Sequence, residues 1–345
     1  MKDRLSYKKA GVDIDTAEAA KKAMAASLET TDSRVLNRIG AFATLLDARF
    51  PEYEHPVLVI KTEEPGSKQK LAFQHNHVRS ICFDLVNHLI NDIIVMGAKP
   101  LSVQDIIICD HLDKDTVNQI VASIADACRE QDCVLTGGET SEQPGVITDG
   151  GYVLGASVIG VVEKSGIIDG SKIEDGDVVL AVASNGIHTN GYSLIRALIA
   201  SQPDILDLAV GEDSFLEAIL RPHKCYYQAF RGLFDMQEVH GIAHITGGGI
   251  EGNLHRILPP GLAAIIDLSE IRILPIFKAI REAGNIDQAD MMRTFNLGVG
   301  MILATAPEAV TNIQERLSDQ GYDSYPIGAI KKEDGTTIFH GRLKW

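Results

Sequence analysis

The chain of 345 residues carries 47 acidic against 32 basic side chains, for a formal charge of −15, and this excludes the broad positive surface with which proteins track nucleic-acid phosphates. At 45% hydrophobic and 23% charged residues the composition is that of an ordinary globular protein, and the length exceeds the size at which one core keeps growing, so two domains are expected. Five cysteines without a Cys-x-x-Cys pair suggest neither a disulfide framework nor a thiolate zinc site, and with no apolar signal region and no run near about 18 apolar residues the expectation is a cytoplasmic protein without a membrane segment.

Asp15 is placed to cap a helix over residues 16–28, rich in alanine and lysine. Val57-Leu-Val-Ile60 predicts a strand that feeds a loop over Lys61 to Lys68, marked by Pro65-Gly66. From Asp84 to Gly97 the apolar residues are dense enough for a buried helix, with Asn91 and Asp92 as polar insertions. Ile106 to Ile108 reads as a strand, and Val117, Ile120, Val121, Ile124, Ala125 and Cys128 follow the spacing of an amphipathic helix. Cys133 to Leu135 and Tyr152 to Val162 are further strands, followed by a polar, turn-rich stretch to Asp177. A boundary near residue 168 divides the chain into domains 1–168 and 169–345. The second half predicts strands near 178–183, 262–267 and 299–304 and helices near 191–200, 224–235, 274–283 and 307–319. No fixed repeat is visible.

Five polar constellations could carry chemistry. Gly137-Gly138-Glu139-Thr140 follows an apolar strand; it is either a plain glycine turn or a place where backbone approaches a ligand and Glu139 offers a hard oxygen to magnesium. Asp84 and Asn91 share a helix face with Asp92 nearby, as partners for a cation or as internal hydrogen-bonding groups. His188-Thr-Asn190-Gly191-Tyr-Ser193 lies between a strand and a helix, where amides can hold an anion and a histidine can transfer protons; a structural histidine is the competing reading. His244-Ile-Thr246-Gly247-Gly248-Gly249 is a phosphate cradle or a hinge. Arg293-Thr-Phe-Asn296-Leu-Gly298-Val-Gly300 offers a guanidinium fork to a phosphate or to a surface ion pair.

Taken in order, these segments resemble the aminoimidazole ribonucleotide synthetase (phosphoribosylformylglycinamidine cyclo-ligase) family. The likeness runs from Tyr7-Lys-Lys-Ala-Gly-Val-Asp-Ile-Asp15, through Asn91-Asp92 and Gly97-Ala-Lys-Pro100, almost to the C-terminus. It implies an α/β (α+β) fold of two domains, N-terminal strands forming a barrel across a homodimer and a C-terminal sheet covered by helices. It also implies a reaction of purine biosynthesis: MgATP phosphorylates the formyl amide oxygen of formylglycinamidine ribonucleotide, an amidine nitrogen attacks, and phosphate leaves as the imidazole closes. By resemblance His188 and Asn190 act at the reacting amide. Lys68, Asp84, Gly137, Gly138, Thr246, Gly247, Gly248 and Gly249 hold ATP or substrate phosphate, and Asp92, Glu139 and Glu63 serve Mg2+. No nucleic-acid or membrane partner is implied.

The chain departs from the family in its N-terminal half. Where the family reads Asp-Gly-Val-Gly-Thr-Lys, this sequence has Glu63-Glu64-Pro65-Gly66-Ser67-Lys68, and two adjacent carboxylates oppose a polyphosphate unless metal intervenes. The family's glycine-rich segment is here Ile39-Gly40-Ala41-Phe42-Ala43, a helix lysine falls at about Ala25, and an Asp-Tyr-Tyr strand is Asp105-Ile106-Ile107. These departures keep open an alternative, a catalytically weak or silent homologue that binds a ribonucleotide or a partner.

Overall fold

The computed structural model describes residues 24, 27–37, 40–333 and 337–345. The Tyr7 to Asp15 opening, the expected helix over 16–28 apart from Met24, Ser27 and Leu28, and positions Ala25 and Ile39 lie outside the described residues. The chain forms two compact units, Met1–Leu89 with Pro100–Val161, and Ile90–Lys99 with Val162–Trp345. Among the described residues no helix is long and apolar enough to cross a membrane.

The first unit is built on strands β1 (Pro56–Glu63), β2 (Lys99–Cys109), β3 (Val134–Glu142) and β4 (Tyr152–Glu163), in the order β1-β4-β2-β3. Helix Lys114–Glu130 carries the chain from β2 to the parallel β3. Asp113 starts it by accepting from the Thr116 amide at 2.7 Å, and its apolar stripe of Val117, Ile120, Val121, Ile124 and Cys128 is buried as the spacing predicts. Val103, Ile107, Leu154, Ala156 and Val158 form the buried side of the sheet. Leu58, Ile60, Ile106 and Val153 are exposed on these same strands.

The expected 61–68 loop is shorter than predicted, because β1 runs to Glu63 and a helix, Lys68–Gln74, begins at Lys68. The turn between them is closed by Glu64, whose carboxylate accepts from the Gly66 amide at 2.6 Å. That helix inserts Lys68 toward helix Val78–Ile94, where its ammonium meets Asp84 at 2.8 Å with neither side chain exposed. Burial lowers the Lys68 pKa and the Asp84 carboxylate opposes that shift. The expected 84–97 helix thus starts six residues early and ends at Ile94.

The second unit contains β5 (Val178–Ala183), a small hairpin of β6 (Ala209–Val210) and β7 (Asp213–Ser214), β8 (Val239–His244), β9 (Leu262–Asp267), β10 (Val299–Thr305), β11 (Ser324–Lys332) and β12 (Thr337–His340). The main sheet has the order β12-β9-β11-β5-β10-β8. Only β12 and β9 are parallel among these pairs. Every residue of β10 is buried, as befits a strand with neighbours on both edges and covered faces. Helices Tyr192–Ser201 and Pro275–Gly284 pack together, burying Ile195 and Leu198 on one and Ile276, Phe277 and Ile280 on the other.

The helix expected over 224–235 shrinks to Tyr227–Phe230. The Asn91 side chain explains this: its amide donates to the Lys224 carbonyl at 2.9 Å and its oxygen accepts from the Tyr226 amide at 3.0 Å. A side chain has taken the Lys224 carbonyl, which a helix starting there would have paired with the Gln228 amide.

Removing one member of the Lys68–Asp84 pair strands a buried charge. Lys68→Ala is expected to lower the unfolding free energy by about 3–5 kcal/mol, read from chemical denaturation. Lys68→Met combined with Asp84→Leu is expected to recover most of that loss, since both charges are then gone. A single variant as stable as the parent contradicts the assignment.

Candidate active site

A large cleft of about 1990 Å³ opens in the first unit, roughly twice the upper end of ordinary small-molecule pockets. Glu63 and Glu64 from the end of β1 line it, together with Asp105 of β2, Thr136 to Thr140 of β3 and part of the 28–44 segment. Gly137, Gly138 and Glu139 were expected in a turn after a strand; they lie inside β3 instead. The register explains the glycines. Val103 pairs Leu135 while Asp105 pairs Gly138, so β3 carries an extra residue, and Gly137 takes it with φ of +128°. At Gly138 a Cβ would stand 2.1 Å from the Asp105 carbonyl and 2.2 Å from its Oδ1, which only glycine allows.

This packing buries Asp105, and loss of solvation pushes its carboxyl up to about 7. Five acidic side chains (Glu29, Glu63, Glu64, Asp105, Glu139) line the cleft, and none of the described lining residues is lysine or arginine. Lys61 pairs Glu63 at 3.0 Å, and Lys68 is committed to Asp84. An anion with several charges would enter this cleft only with cations, so the donor set suits a hard divalent ion that keeps its own waters.

A second constellation forms in the other unit at one end of the six-stranded sheet. Because β10 runs antiparallel to both β5 and β8, the segments that leave β5 and β8 emerge beside the segment that enters β10. Asn296 locks two of them together: its amide donates to the Gly186 carbonyl at 3.0 Å and its oxygen accepts from Gly298 at 2.8 Å. The Gly247 Cα lies beside Asn190, whose Oδ1 is 3.1 Å from where a Cβ would be. Asn253 donates to the carbonyls of Thr246, Gly247 and Gly249, while the Gly248 and Gly249 amides donate to Arg293 and Thr246 carbonyls. The glycine run is therefore an ordered turn held by its own hydrogen bonds.

His188 sits at the centre with a φ of +65°, a left-handed conformation uncommon for a residue with a Cβ. Such strain persists where the surroundings over-determine it, and it is a pointer to function. Its ring stacks on His223 with centroids 3.9 Å apart. His223 Nε2 lies 3.1 Å from His244 Nε2 and from the Asn91 amide nitrogen, and His244 Nδ1 meets Asp92 at 2.8 Å. Tyr226, fully buried, donates to the Ala183 carbonyl at 3.0 Å, and burial holds its phenol well above the ordinary range.

The expected site residues thus fall into three settings. Glu63, Gly137, Gly138 and Glu139 line one cleft; Lys68 and Asp84 are a buried pair; His188, Asn190, Asp92 and Thr246 to Gly249 belong to the C-terminal unit. Asp84 and Asn91 do not share a cation, since Asp84 holds Lys68 and Asn91 holds the 223–226 segment. His223 and Tyr226 were not among the expected site residues, Tyr226 because it lies in the stretch read as helix and His223 because it stands just before that stretch with no motif around it, and Asp105 was not expected in a cleft.

The family model described as AIR synthase related protein, N-terminal domain, matches residues 49–162, and that described as its C-terminal domain matches residues 174–341. A phosphoribosylformylglycinamidine cyclo-ligase of Chromobacterium violaceum is 40% identical over 96% of both chains. One of Trichlorobacter lovleyi is 41% identical over the same shares. The chain belongs to the AIR synthase family. The Escherichia coli HypE crystal structure matches with a TM-score of 0.68 at 16% identity, covering 93% of this chain and 92% of that one. A hydrogenase maturation protein HypE in complex with ATP matches with a TM-score of 0.64 at 16% identity, covering 95% and 91%. At that identity these two show the shared α/β fold and nothing finer.

The raised Asp105 pKa has a consequence for stability. The folded value lies above the unfolded one, so the stabilising effect of the neutral acid is complete below about pH 4 and is lost as pH rises through about 7. Wild-type stability is expected to fall across that interval by up to about 4 kcal/mol relative to Asp105→Asn. Denaturation series from pH 4 to 8 measure it, and parallel curves for the two proteins would show that Asp105 titrates normally.

Proposed function

We propose that the protein closes the imidazole ring of aminoimidazole ribonucleotide from formylglycinamidine ribonucleotide, using ATP, as a ligase of purine biosynthesis. One observation carries the reading. In a chain of this family, the segments bearing His188, Asn190, Thr246 to Gly249 and Asn296 converge at one end of one sheet with His188 held in a strained conformation. The alternative of a silent homologue finds no support in relatives that match almost end to end and are cyclo-ligases by name.

ATP would supply the phosphoryl group that turns the amide oxygen into a leaving group. The chain's own part is positioning and proton handling. His188 would hold or move a proton at the amidine or the amide oxygen. Asn190 would orient the amide, and the turn over Thr246 to Gly249 would fix the substrate's phosphate end. In the first unit the β3 glycines let a ligand approach the backbone at Gly137, and Glu63 and Glu139 would face the magnesium that accompanies the nucleotide. The acidic lining supports that role for metal, because without it a polyphosphate would meet carboxylates alone.

The exposed residues of β1 and its sheet support assembly as a homodimer. On β1 the half-buried Val57 and Val59 alternate with the exposed Leu58 and Ile60, so both faces of the strand are apolar. A strand of that kind is built to be covered on both sides. A second copy of the chain covers the outer face in this reading.

With MgATP and formylglycinamidine ribonucleotide, the purified protein is expected to release ADP and aminoimidazole ribonucleotide in equal amounts. His188→Ala is expected to cut kcat by about 10²–10⁴-fold while the folded content is unchanged. Substrate-independent ADP release, or full activity in His188→Ala, would refute the reading. Light scattering is expected to give twice the chain mass for the parent and a monomer for the Leu58→Asp, Ile60→Lys variant.

A further inference from the structure

The geometry points to a transition-metal site formed by His188, His223 and His244, suited to Zn2+ or Co2+ and distinct from any magnesium carried by a nucleotide. The inference stands apart from the ring-closure reading, since it concerns what three imidazoles can bind. One ring nitrogen from each of these buried histidines lies within 4.8 Å of the other two. Imidazole sets of this kind favour zinc, cobalt, nickel and copper, whereas magnesium prefers oxygen.

The contact between His223 and His244 carries the argument. The Asn91 carboxamide is oriented by its backbone partners, accepting from the Tyr226 amide and donating to the Lys224 carbonyl, so the group it presents to His223 Nε2 at 3.1 Å is its N–H. His223 Nε2 is therefore an acceptor. His244 Nδ1 faces the Asp92 carboxylate at 2.8 Å, which places its proton on that side and leaves a lone pair on Nε2. Two lone-pair nitrogens then stand 3.1 Å apart in a buried place. That arrangement calls for a positive charge between them, either a proton shared by the two rings or a metal ion.

The spacing fits one. Zinc–imidazole bonds of 2.0–2.1 Å set the nitrogen–nitrogen edge of a tetrahedral site at about 3.3 Å, close to the 3.1 Å observed. Asp92 is already where an outer carboxylate orients a ligating histidine and raises its basicity. The ion would replace the Asn91 N–H at His223 Nε2. His188, now stacked on His223 at 3.9 Å, would complete three nitrogens by a rotation of its side chain, and a water or substrate oxygen would take the fourth place.

Tag-free, chelator-treated full-length protein titrated with Co2+ tests this. The expected result is one Co2+ per chain with the strong visible bands of four-coordinate cobalt, displaced by one equivalent of Zn2+. His223→Gln and His244→Gln are expected to abolish the bands, and Asp92→Asn to weaken binding about 10–100-fold. Absence of such bands in the folded parent, or unchanged bands in both histidine variants, overturns the proposal and leaves a shared proton between the two rings. Should a variant fail to fold, X-ray absorption on the zinc-loaded parent decides: an imidazole shell supports the site and an oxygen-only shell overturns it.

Discussion

The position of β10 between β5 and β8 is the constraint on which the C-terminal constellation depends. Both neighbours run antiparallel to it, so their exits and its entrance share one end of the sheet. Three chain segments that are up to about a hundred residues apart in sequence are thereby brought side by side without any loop reaching across the fold. Asn296 then fixes their spacing, since a single side chain bonds the 186–187 backbone and the start of β10 at once. Preorganisation of this kind is set by sheet register, which is costly to change, rather than by loop conformation, which is not.

Polar burial is used differently in the two units. In the first, Lys68, beside the altered loop, meets Asp84 in a fully buried pair that joins two helices. The cleft keeps its acids without a basic counterweight among the described residues. In the second unit, the Asn91 amide replaces part of a helix, and a histidine chain from Asp92 to His223 fills the space so created.

Much of this was legible in the residues. Strand β4, the amphipathic helix of 114–130 and the alternation over 178–305 follow from periodicity alone, and β5 and β9 fall on their expected bounds. Three things were not legible. Strands β8 and β11 have few uninterrupted β-branched residues and are strands because neighbours supply their ladders, and β12 is only four residues long. Gly137 and Gly138 have the composition of a turn, yet the Asp105 backbone pressed against them makes them a bulged strand, a fact about register that no local pattern encodes. The 224–226 segment was read as the start of a helix, and side chains distant in sequence, Asn91 on Lys224 and Tyr226 and Tyr322 on the Cys225 carbonyl, hold its backbone instead.

The same limits explain why His223 escaped notice while His188 did not. His188 lies between glycines that mark a strand-to-helix turn, so its context advertises it. His223 has no such frame, and its meaning comes from what faces it: a parallel ring on one side and a second imidazole nitrogen at its edge. Holding His188 in the left-handed region costs of order 1 kcal/mol or more. The stack against His223, and the Asn91 and Asp92 bonds behind it, supply the packing that makes that conformation persist. A residue with no signal of its own can therefore decide whether the conspicuous one is correctly held.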